Sequence, residues 1–149
     1  MKIEEAIKQK EFKSEYQKLF INIIYTANWL NNESIKTLKP FGISPQQYNV
    51  LRILKGQYPN AITVNNIIDR MLDKSSNASR LVDKLKLKEL VERETCGNDR
   101  RQVDIKITKK GIFLLDDISK KMDSFNNMSK VVSTTEAEKL NEILDKIRD

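Results

Sequence analysis

The stretch that decides the fold is KSSNASRLVDKLKLKELVERETCGNDRRQVDIKITKKG, residues 74–111. It opens with small polar residues, followed by Leu81, Val82 and Leu85 at helical spacing. This pattern predicts an amphipathic helix with one buried face. Beyond the helix, apolar and polar residues alternate on both sides of a Gly-Asn-Asp turn. Alternation with a period of two predicts a two-stranded ribbon, also with one buried face.

A second short helix is predicted just before this stretch. Thr63 precedes apolar residues at Val64 and Ile67, which favours a short helix capped by the threonine. A break around residues 73–75 separates it from the next helix, which we expect to end near Lys88. Two short helices joined by a turn of three or four residues form a helix-turn-helix. With the hairpin behind them, they have the layout of a winged helix-turn-helix.

Long helical segments are predicted on the N-terminal side. No proline or glycine interrupts residues 3–38, and apolar residues recur at steps of three and four from Tyr16 onward. We therefore expect one long helix with a continuous apolar face. Ser44 and Pro45 start the next helix, because serine is a good N-cap and proline suits the first helical position. That helix should end near Gly56.

The C-terminal side is also helical. Thr108 is expected to cap a helix that runs from residue 109 to about 128. The sequence Ser133-Thr134-Thr135-Glu136 matches the capping box S-x-x-E and predicts the start of a last helix. Its apolar residues again recur at helical spacing.

The predicted fold class is therefore mainly α with a small β-hairpin wing. We expect residues 1–149 to form a single domain with a winged helix-turn-helix at 44–111. The flanking segments, 1–39 and 112–149, have apolar helix faces that are larger than one small domain can bury. Dimerisation through these helices is the economical explanation, and a symmetric dimer would read a pseudo-palindromic operator.

The composition excludes several classes of function. The formal net charge is +6, which favours a polyanionic partner. The chain has no histidine and one cysteine, Cys96, so it lacks Ser-His-Asp and Cys-His catalysis, zinc sites built from Cys and His clusters, and an internal disulfide. We find no glycine-rich phosphate loop and no convincing carboxylate pair, and we predict neither an enzyme nor a cofactor.

The N-terminus does not resemble a signal peptide. The longest apolar-leaning run, residues 19–30, is too short and too polar to span a bilayer. A lone thiol fits a reducing compartment. We therefore expect a cytoplasmic protein with no membrane partner.

The candidate site residues belong to two groups that suit double-stranded DNA. The N-terminal part of the second helix of a helix-turn-helix enters the major groove, and arginines suit the negative potential of a narrow minor groove. At the helix head the candidates are Ser75, Ser76, Asn77, Ser79, Arg80 and Lys84. At the hairpin tip they are Asp99, Arg100 and Arg101. Capping and solvation remain an alternative role for the first group.

The chain resembles the MarR family of bacterial winged helix-turn-helix repressors. The resemblance is carried by SPQQYNVLRIL at 44–54, NASRLVDKLKLKELVERE at 77–94 and NDRRQVDIKITKKG at 98–111. The most specific part is D-x-R followed by an alternating strand and T-x-x-G. The resemblance implies that Arg101 enters the minor groove and that Asp99 helps to hold it. It also implies a homodimer that represses nearby promoters and, as in many members, releases DNA when a small, often phenolic, ligand binds.

This sequence departs from the family pattern at two positions. Glu89 stands where the family usually has glycine, just before the first strand of the wing. Glycine tolerates the left-handed geometry of a helix C-cap better than glutamate does. Ile68 stands where a small residue is usual between the two helices of the motif.

Several alternatives remain open. Four aromatic residues near the expected cleft fit a small aromatic ligand, but cores and subunit interfaces use the same residue types; they are Tyr25, Trp29, Phe41 and Tyr48. A winged helix can also serve as a protein-interaction module that does not bind DNA. A third alternative is a redox-sensing regulator that uses Cys96.

Overall fold

The computed structural model describes residues 1–95, 103–122 and 130–149. The predicted hairpin-tip residues Asp99, Arg100 and Arg101, and also Cys96, lie outside the described residues. The elements in chain order are α1 (Ile3–Ala6), α2 (Glu15–Leu38), α3 (Pro45–Gln57), β1 (Ile62–Thr63), α4 (Val64–Arg70), α5 (Ala78–Leu87), β2 (Val91–Thr95), β3 (Val103–Ile107), α6 (Lys109–Met122) and α7 (Thr134–Arg148). The protein is therefore mostly helical with a small antiparallel sheet, as predicted.

Local capping signals in the sequence correctly mark where helices begin. The Ser44 hydroxyl accepts from the Gln47 amide at 3.2 Å, while the buried Gln47 side chain accepts from the Ser44 amide at 3.0 Å. Thr63 accepts from the Asn66 amide at 3.1 Å, and a reciprocal capping box at Ser133 opens α7. Each cap satisfies backbone donors that have no partner within the helix.

The N-terminal segment is not one long helix. α1 ends at Ala6, Lys8 has a positive φ of 55°, and α2 begins only at Glu15. Ser14 caps the new start by accepting from the Gln17 amide at 3.2 Å. The prediction of an unbroken helix over 3–38 was therefore wrong before residue 15, because a serine cap can restart a helix without proline or glycine.

The wing contains a third strand that the sequence did not predict. The sheet order is β1-β3-β2, with Ile62 opposite Ile105 and Val91 opposite Ile107. Ile105 and Ile107 lie in the core. β1 adds only two residues to the sheet, too few to show a period of two.

The core lies between the helix-turn-helix, the sheet and the first part of α6. Its fully buried members include Leu51 of α3, Ile67 of α4, Leu85 of α5 and Ile118 of α6. Among the residues described, no helix combines the length and the apolar character needed to cross a membrane.

The outer helices leave large apolar side chains uncovered within one chain. Tyr16, Phe20 and Trp29 of α2 are 84%, 65% and 54% exposed, and Leu140 and Ile147 of α7 are 51% and 54% exposed. α7 has no buried residue. Exposed apolar surface of this extent marks an interaction surface, in agreement with the excess of apolar stripe found in the sequence.

Gly111, the last residue of the T-x-x-G pattern, lies where three parts of the chain pack closely together. A Cβ at this position would lie 2.4 Å from the Leu90 carbonyl oxygen and 2.7 Å from Cγ1 of Ile107. The Gly111 amide donates to the Thr108 hydroxyl at 3.1 Å, so Thr108 caps α6 as predicted. Only a residue without a side chain allows α6 to start directly against Leu90.

We therefore predict that Gly111→Ala lowers the free energy of unfolding by about 1–3 kcal/mol, because the methyl group overlaps backbone. Urea denaturation followed by circular dichroism measures the change. Gly56→Ala is the matched control, since a Cβ there meets no atom within 4 Å. Equal effects of the two substitutions would contradict the close-packing argument.

Candidate nucleic-acid interface

Helix α5 presents one face to the core and the opposite face to solvent. Ala78, Val82 and Leu85 are buried at helical spacing. Arg80 and Lys84 are exposed and lie four residues apart, so they share one stripe of the outer face. The second helix of the helix-turn-helix thus has a rigidly seated inner face and a basic outer face.

Asn77 serves as the N-cap of this helix. Its side-chain oxygen accepts from the Arg80 amide at 3.0 Å. The side-chain amide NH₂ is not used by this contact, so it can still donate to a ligand. Ser79 lies in the first turn and is exposed.

Ser75 and Ser76 lie in the turn before α5 rather than in the helix. The Asp73 carboxylate accepts from the Ser75 hydroxyl, from the Ser75 amide at 3.0 Å and from the Ser76 hydroxyl at 2.8 Å. In the free protein both hydroxyl protons are therefore directed to Asp73. The turn is also attached to α3, because the Leu72 amide donates to the Asn49 side chain at 3.0 Å.

These hydrogen bonds make the turn dependent on the charge of Asp73. The bond from the Ser75 hydroxyl, followed by those from the Ser76 hydroxyl and the Ser75 amide, holds the pKa of Asp73 below its ordinary value. A lowered pKa stabilises the folded state above the ordinary pKa, and this contribution is lost as the pH falls through the lowered value. The turn is therefore formed at neutral pH.

The joint between α5 and β2 has the geometry that glycine usually provides. Glu89 has a φ of 60°, in the left-handed region. The Leu90 amide donates to the Leu85 carbonyl at 3.0 Å and the Glu89 amide donates to the Lys86 carbonyl at 2.8 Å. This pair of bonds is a Schellman motif. The left-handed geometry that glycine tolerates best is thus present at this joint, and the glutamate carries the strain.

Glu89 also connects the joint to the start of α6. Its carbonyl accepts from the Thr108 hydroxyl at 2.8 Å, and its carboxylate lies 2.6 Å from the Lys110 ammonium. The hydrogen bond from Lys110, together with its positive charge, lowers the pKa of Glu89. The first turn of α6 contains no acid, so this carboxylate supplies the negative charge that a helix N-terminus favours.

Ile68, the other departure, is accommodated at the edge of the core. Its side chain is half-buried against the core, and its carbonyl accepts from the Met71 amide at 3.1 Å at the end of α4. A larger residue than usual therefore fits without interrupting the helix end.

The wing is connected to α5 by side chains as well as by the joint. Arg93 of β2 forms an ion pair with Asp83 of α5. On the same hairpin, Lys106 of β3 pairs with Glu94 at 3.2 Å. The predicted tip residues belong to the segment 96–102 that joins β2 to β3 and lies outside the described residues.

The four aromatic residues predicted for a ligand pocket differ in their exposure, and none of them lines the cavity beside α2. Tyr25 and Trp29 are exposed on α2, whereas Phe41 and Tyr48 are half-buried against the core. That cavity, of about 210 Å³, lies between α2, α3 and the turn after α4; it is lined by Asn31, Ser34, Pro45, Gln46, Asn49, Met71, Leu72 and Asp73.

Comparisons with known proteins agree with this architecture. The MarR family model matches residues 41–102. The HTH-type transcriptional regulator MhqR of Bacillus subtilis is 34% identical over 133 residues, covering 87% of this chain and 89% of the relative. The chain belongs to the MarR family. A second relative, the transcriptional repressor MprA of Escherichia coli, is 26% identical over 151 residues, covering 97% of this chain and 86% of that protein. Both relatives are transcriptional regulators.

A solved structure of a protein bound to DNA has the same overall fold. The S. aureus MepR–DNA complex has a TM-score of 0.76 and 25% sequence identity, covering 92% of this chain and 97% of that chain. This protein is a winged-helix, DNA-binding transcriptional regulator of the MarR family.

The strained joint yields a prediction about stability. Glu89→Gly should raise the melting temperature by a few degrees, because glycine adopts the left-handed conformation without strain. Glu89→Gln is the matched control, since it removes the charge opposite Lys110 and keeps the strain. Scanning calorimetry should therefore rank the glycine variant above the glutamine variant. Because both variants lack the ion pair with Lys110, the opposite order would mean that the left-handed backbone at residue 89 imposes no strain. A glycine variant that melts below the wild type would mean that the ion pair outweighs the backbone strain.

Proposed function

We propose that this protein is a homodimeric repressor that binds a pseudo-palindromic operator and leaves it when a small aromatic ligand binds. Each subunit places α5 in a major groove and the tip of its wing in the flanking minor groove. The observation that carries the proposal is the basic outer face of α5, held rigidly by the buried Ala78, Val82 and Leu85. We also propose that it acts in the cytoplasm, by binding and without catalysis.

The residues proposed to contact the DNA bases lie in the first turns of α5. Arg80 is the proposed base or phosphate contact, because it is exposed at the N-terminal end that enters the groove in a helix-turn-helix. Lys84 lies one turn further on the same stripe and suits a phosphate. Ser79 and the amide of Asn77 complete the proposed reading surface. Ser75 and Ser76 shape the turn by donating their hydroxyl hydrogens to Asp73. They can donate to DNA only if these hydrogen bonds to Asp73 are broken.

The minor-groove contact falls to the wing. Arg101 is the proposed reader, with Asp99 holding it and Arg100 beside it. Support comes from the family resemblance at D-x-R and from the position of this segment between β2 and β3.

The terminal segments 1–39 and 112–149 are the proposed dimerisation parts of a single domain, with the DNA-binding part at 44–111. Support comes from the exposed apolar residues on α2 and α7. If Trp29 and Phe20 were buried against a second copy, each large apolar side chain would stabilise the dimer by about 1.5–3 kcal/mol.

The ligand is proposed to bind between the dimerisation helices and the DNA-binding part. Apolar cavities of about 150 Å³ hold a benzene molecule, so the cavity of about 210 Å³ beside α2 is large enough for a single ring. It borders Leu72 and Asp73, in the turn that leads into α5. Tyr25, Trp29, Phe41 and Tyr48 stay a prediction for the part of a ligand site that two subunits would share.

The DNA contacts can be tested on fragments selected from genomic DNA. We expect Arg80→Ala and Arg101→Ala each to weaken binding to the selected operator by about tenfold to hundredfold, with a normal circular-dichroism spectrum. Arg52→Ala is the control, because it removes the same charge from the exposed side of α3, outside the proposed reading surface and the proposed dimerisation segments, where Arg52 donates to the Tyr48 hydroxyl at 3.4 Å. Fluorescence anisotropy at moderate salt measures the affinities.

Unchanged affinity in Arg101→Ala would exclude the minor-groove role of the wing. Failure of the wild-type chain to select any DNA, with no decrease of affinity as salt rises, would instead favour a protein-interaction module. Release of DNA on oxidation in the wild type, but not in Cys96→Ser, would support the redox alternative.

The dimer can be tested by charge insertion. We expect Phe20→Glu and Ile147→Glu to convert the dimer into a monomer, because a buried unpaired carboxylate opposes association. Leu72→Glu is the control, since Leu72 is also a large apolar side chain and is even more exposed, but it lies in the turn between α4 and α5. Light scattering after size exclusion gives the mass. A dimer that persists in both terminal-helix variants would show that these faces do not form the interface.

A further inference from the structure

We propose that the ion pair between Asp83 and Arg93 sets the angle between α5 and the wing and thereby determines how well the two fit one operator. The proposal rests on the proposed function, in which α5 and the wing contact DNA together. Asp83 and Arg93 would act as positioning residues rather than as DNA contacts.

α5 and β2 meet at the joint around Glu89 and diverge from it. The Asp83–Arg93 pair connects the two elements away from the joint, so that the helix, the strand and the ion pair form a triangle. α5 ends at Leu87 and β2 begins at Val91. Asp83 lies four residues before the end of the helix, which is about 6 Å along its axis. Arg93 lies two residues into the strand, about 7 Å from its start. Backbone bonds at the joint fix the corner only, so the side-chain pair supplies the third side of the triangle.

The strand pattern shows why an arginine stands at this position. Arg93 shares a face of β2 with Val91, which is buried, and it lies opposite Ile105, which is also buried. The alternation therefore places Arg93 on the face of the sheet that continues into the core, while Glu92 and Glu94 lie on the other face of the strand. The Arg93 side chain lies at the solvent-exposed edge of that face, where it is 37% exposed and pairs with Asp83, whose side chain is 57% exposed.

Asp83 by itself would hinder DNA binding. It lies on the outer half of α5, three residues after Arg80 and four after Ser79, so it is close to the proposed reading surface. An uncompensated carboxylate there would repel phosphates. Arg93 neutralises it and, in the same contact, holds the wing. If Arg93 only neutralises Asp83, removal of the aspartate charge should strengthen DNA binding. If the ion pair positions the wing, the same change should weaken binding to the operator.

The test compares the full-length protein with Asp83→Asn, Arg93→Gln and the exchanged pair Asp83→Arg/Arg93→Asp. The matched controls are Glu94→Gln and Lys106→Gln, which break an ion pair on the same hairpin that does not involve α5. Affinity is measured by fluorescence anisotropy at one salt concentration, for a selected operator fragment and for a random fragment of equal length. Hydroxyl-radical footprinting monitors the flanking minor groove.

Positioning predicts that Asp83→Asn binds the operator about tenfold more weakly, the size of a typical coupled contact, while random DNA is bound as well as before or better. Protection of the flanking minor groove should weaken at the same time. Arg93→Gln should lower the same ratio of operator to random affinity. The exchanged pair should restore part of the ratio, and the controls should leave it unchanged.

Tighter binding of both fragments by Asp83→Asn would overturn the proposal in favour of simple charge repulsion. An equal loss on both fragments that is confined to Arg93→Gln would identify a phosphate contact instead, and it would also overturn the proposal. Failure of the wild-type chain to prefer its selected fragment would refute the proposed function itself, which separates the two cases.

Discussion

The backbone of Leu90 is the point on which the rest of the structure depends. Its amide closes the Schellman motif that ends α5, and its carbonyl accepts from the Thr108 amide at 3.1 Å. The same carbonyl fits against Gly111 at the start of α6. Its side chain lies in the core. One residue therefore joins the end of α5, the start of β2 and the start of α6. Because buried backbone groups must stay paired, none of these elements can move far from the others.

The sequence predicts this region well where the signals are local. N-caps at Ser44 and Thr63 depend on a few neighbouring residues, so their positions were confirmed. The departure from glycine at Glu89 drew attention to the joint but left open whether the connection is rebuilt or strained; in the structure Glu89 adopts the left-handed conformation. The restart of the helix at Ser14 was not predicted, because no proline or glycine accompanies it. β1 was missed because a two-residue strand has no periodicity, and it becomes visible only when β3 pairs with it.

Several contacts of polar residues were not predicted; some of them are local and others depend on tertiary structure. The hydroxyls of Ser75 and Ser76 suggested DNA ligands, but only the folded turn shows that Asp73 binds both. The pair of Asp83 and Arg93 spans ten residues and two kinds of secondary structure, so neither helical nor strand periodicity indicates it. Asn49, which holds the same turn from α3, is 23 residues from its partner. Roles assigned to exposed polar residues from sequence therefore need the identity of their neighbours.

The rigidity of the joint restricts how a ligand can regulate this protein. If α5, the wing and the start of α6 are held together at Leu90 and Glu89 and by the pair of Asp83 and Arg93, the proposed ligand gains little by bending one against another, because several hydrogen bonds would break at once. The half that binds DNA should instead move as one body. A ligand beside α2 would then act by changing the distance between the two α5 helices of a dimer. A change of this kind abolishes binding when the spacing no longer matches one helical turn of DNA, even though each reading surface stays intact.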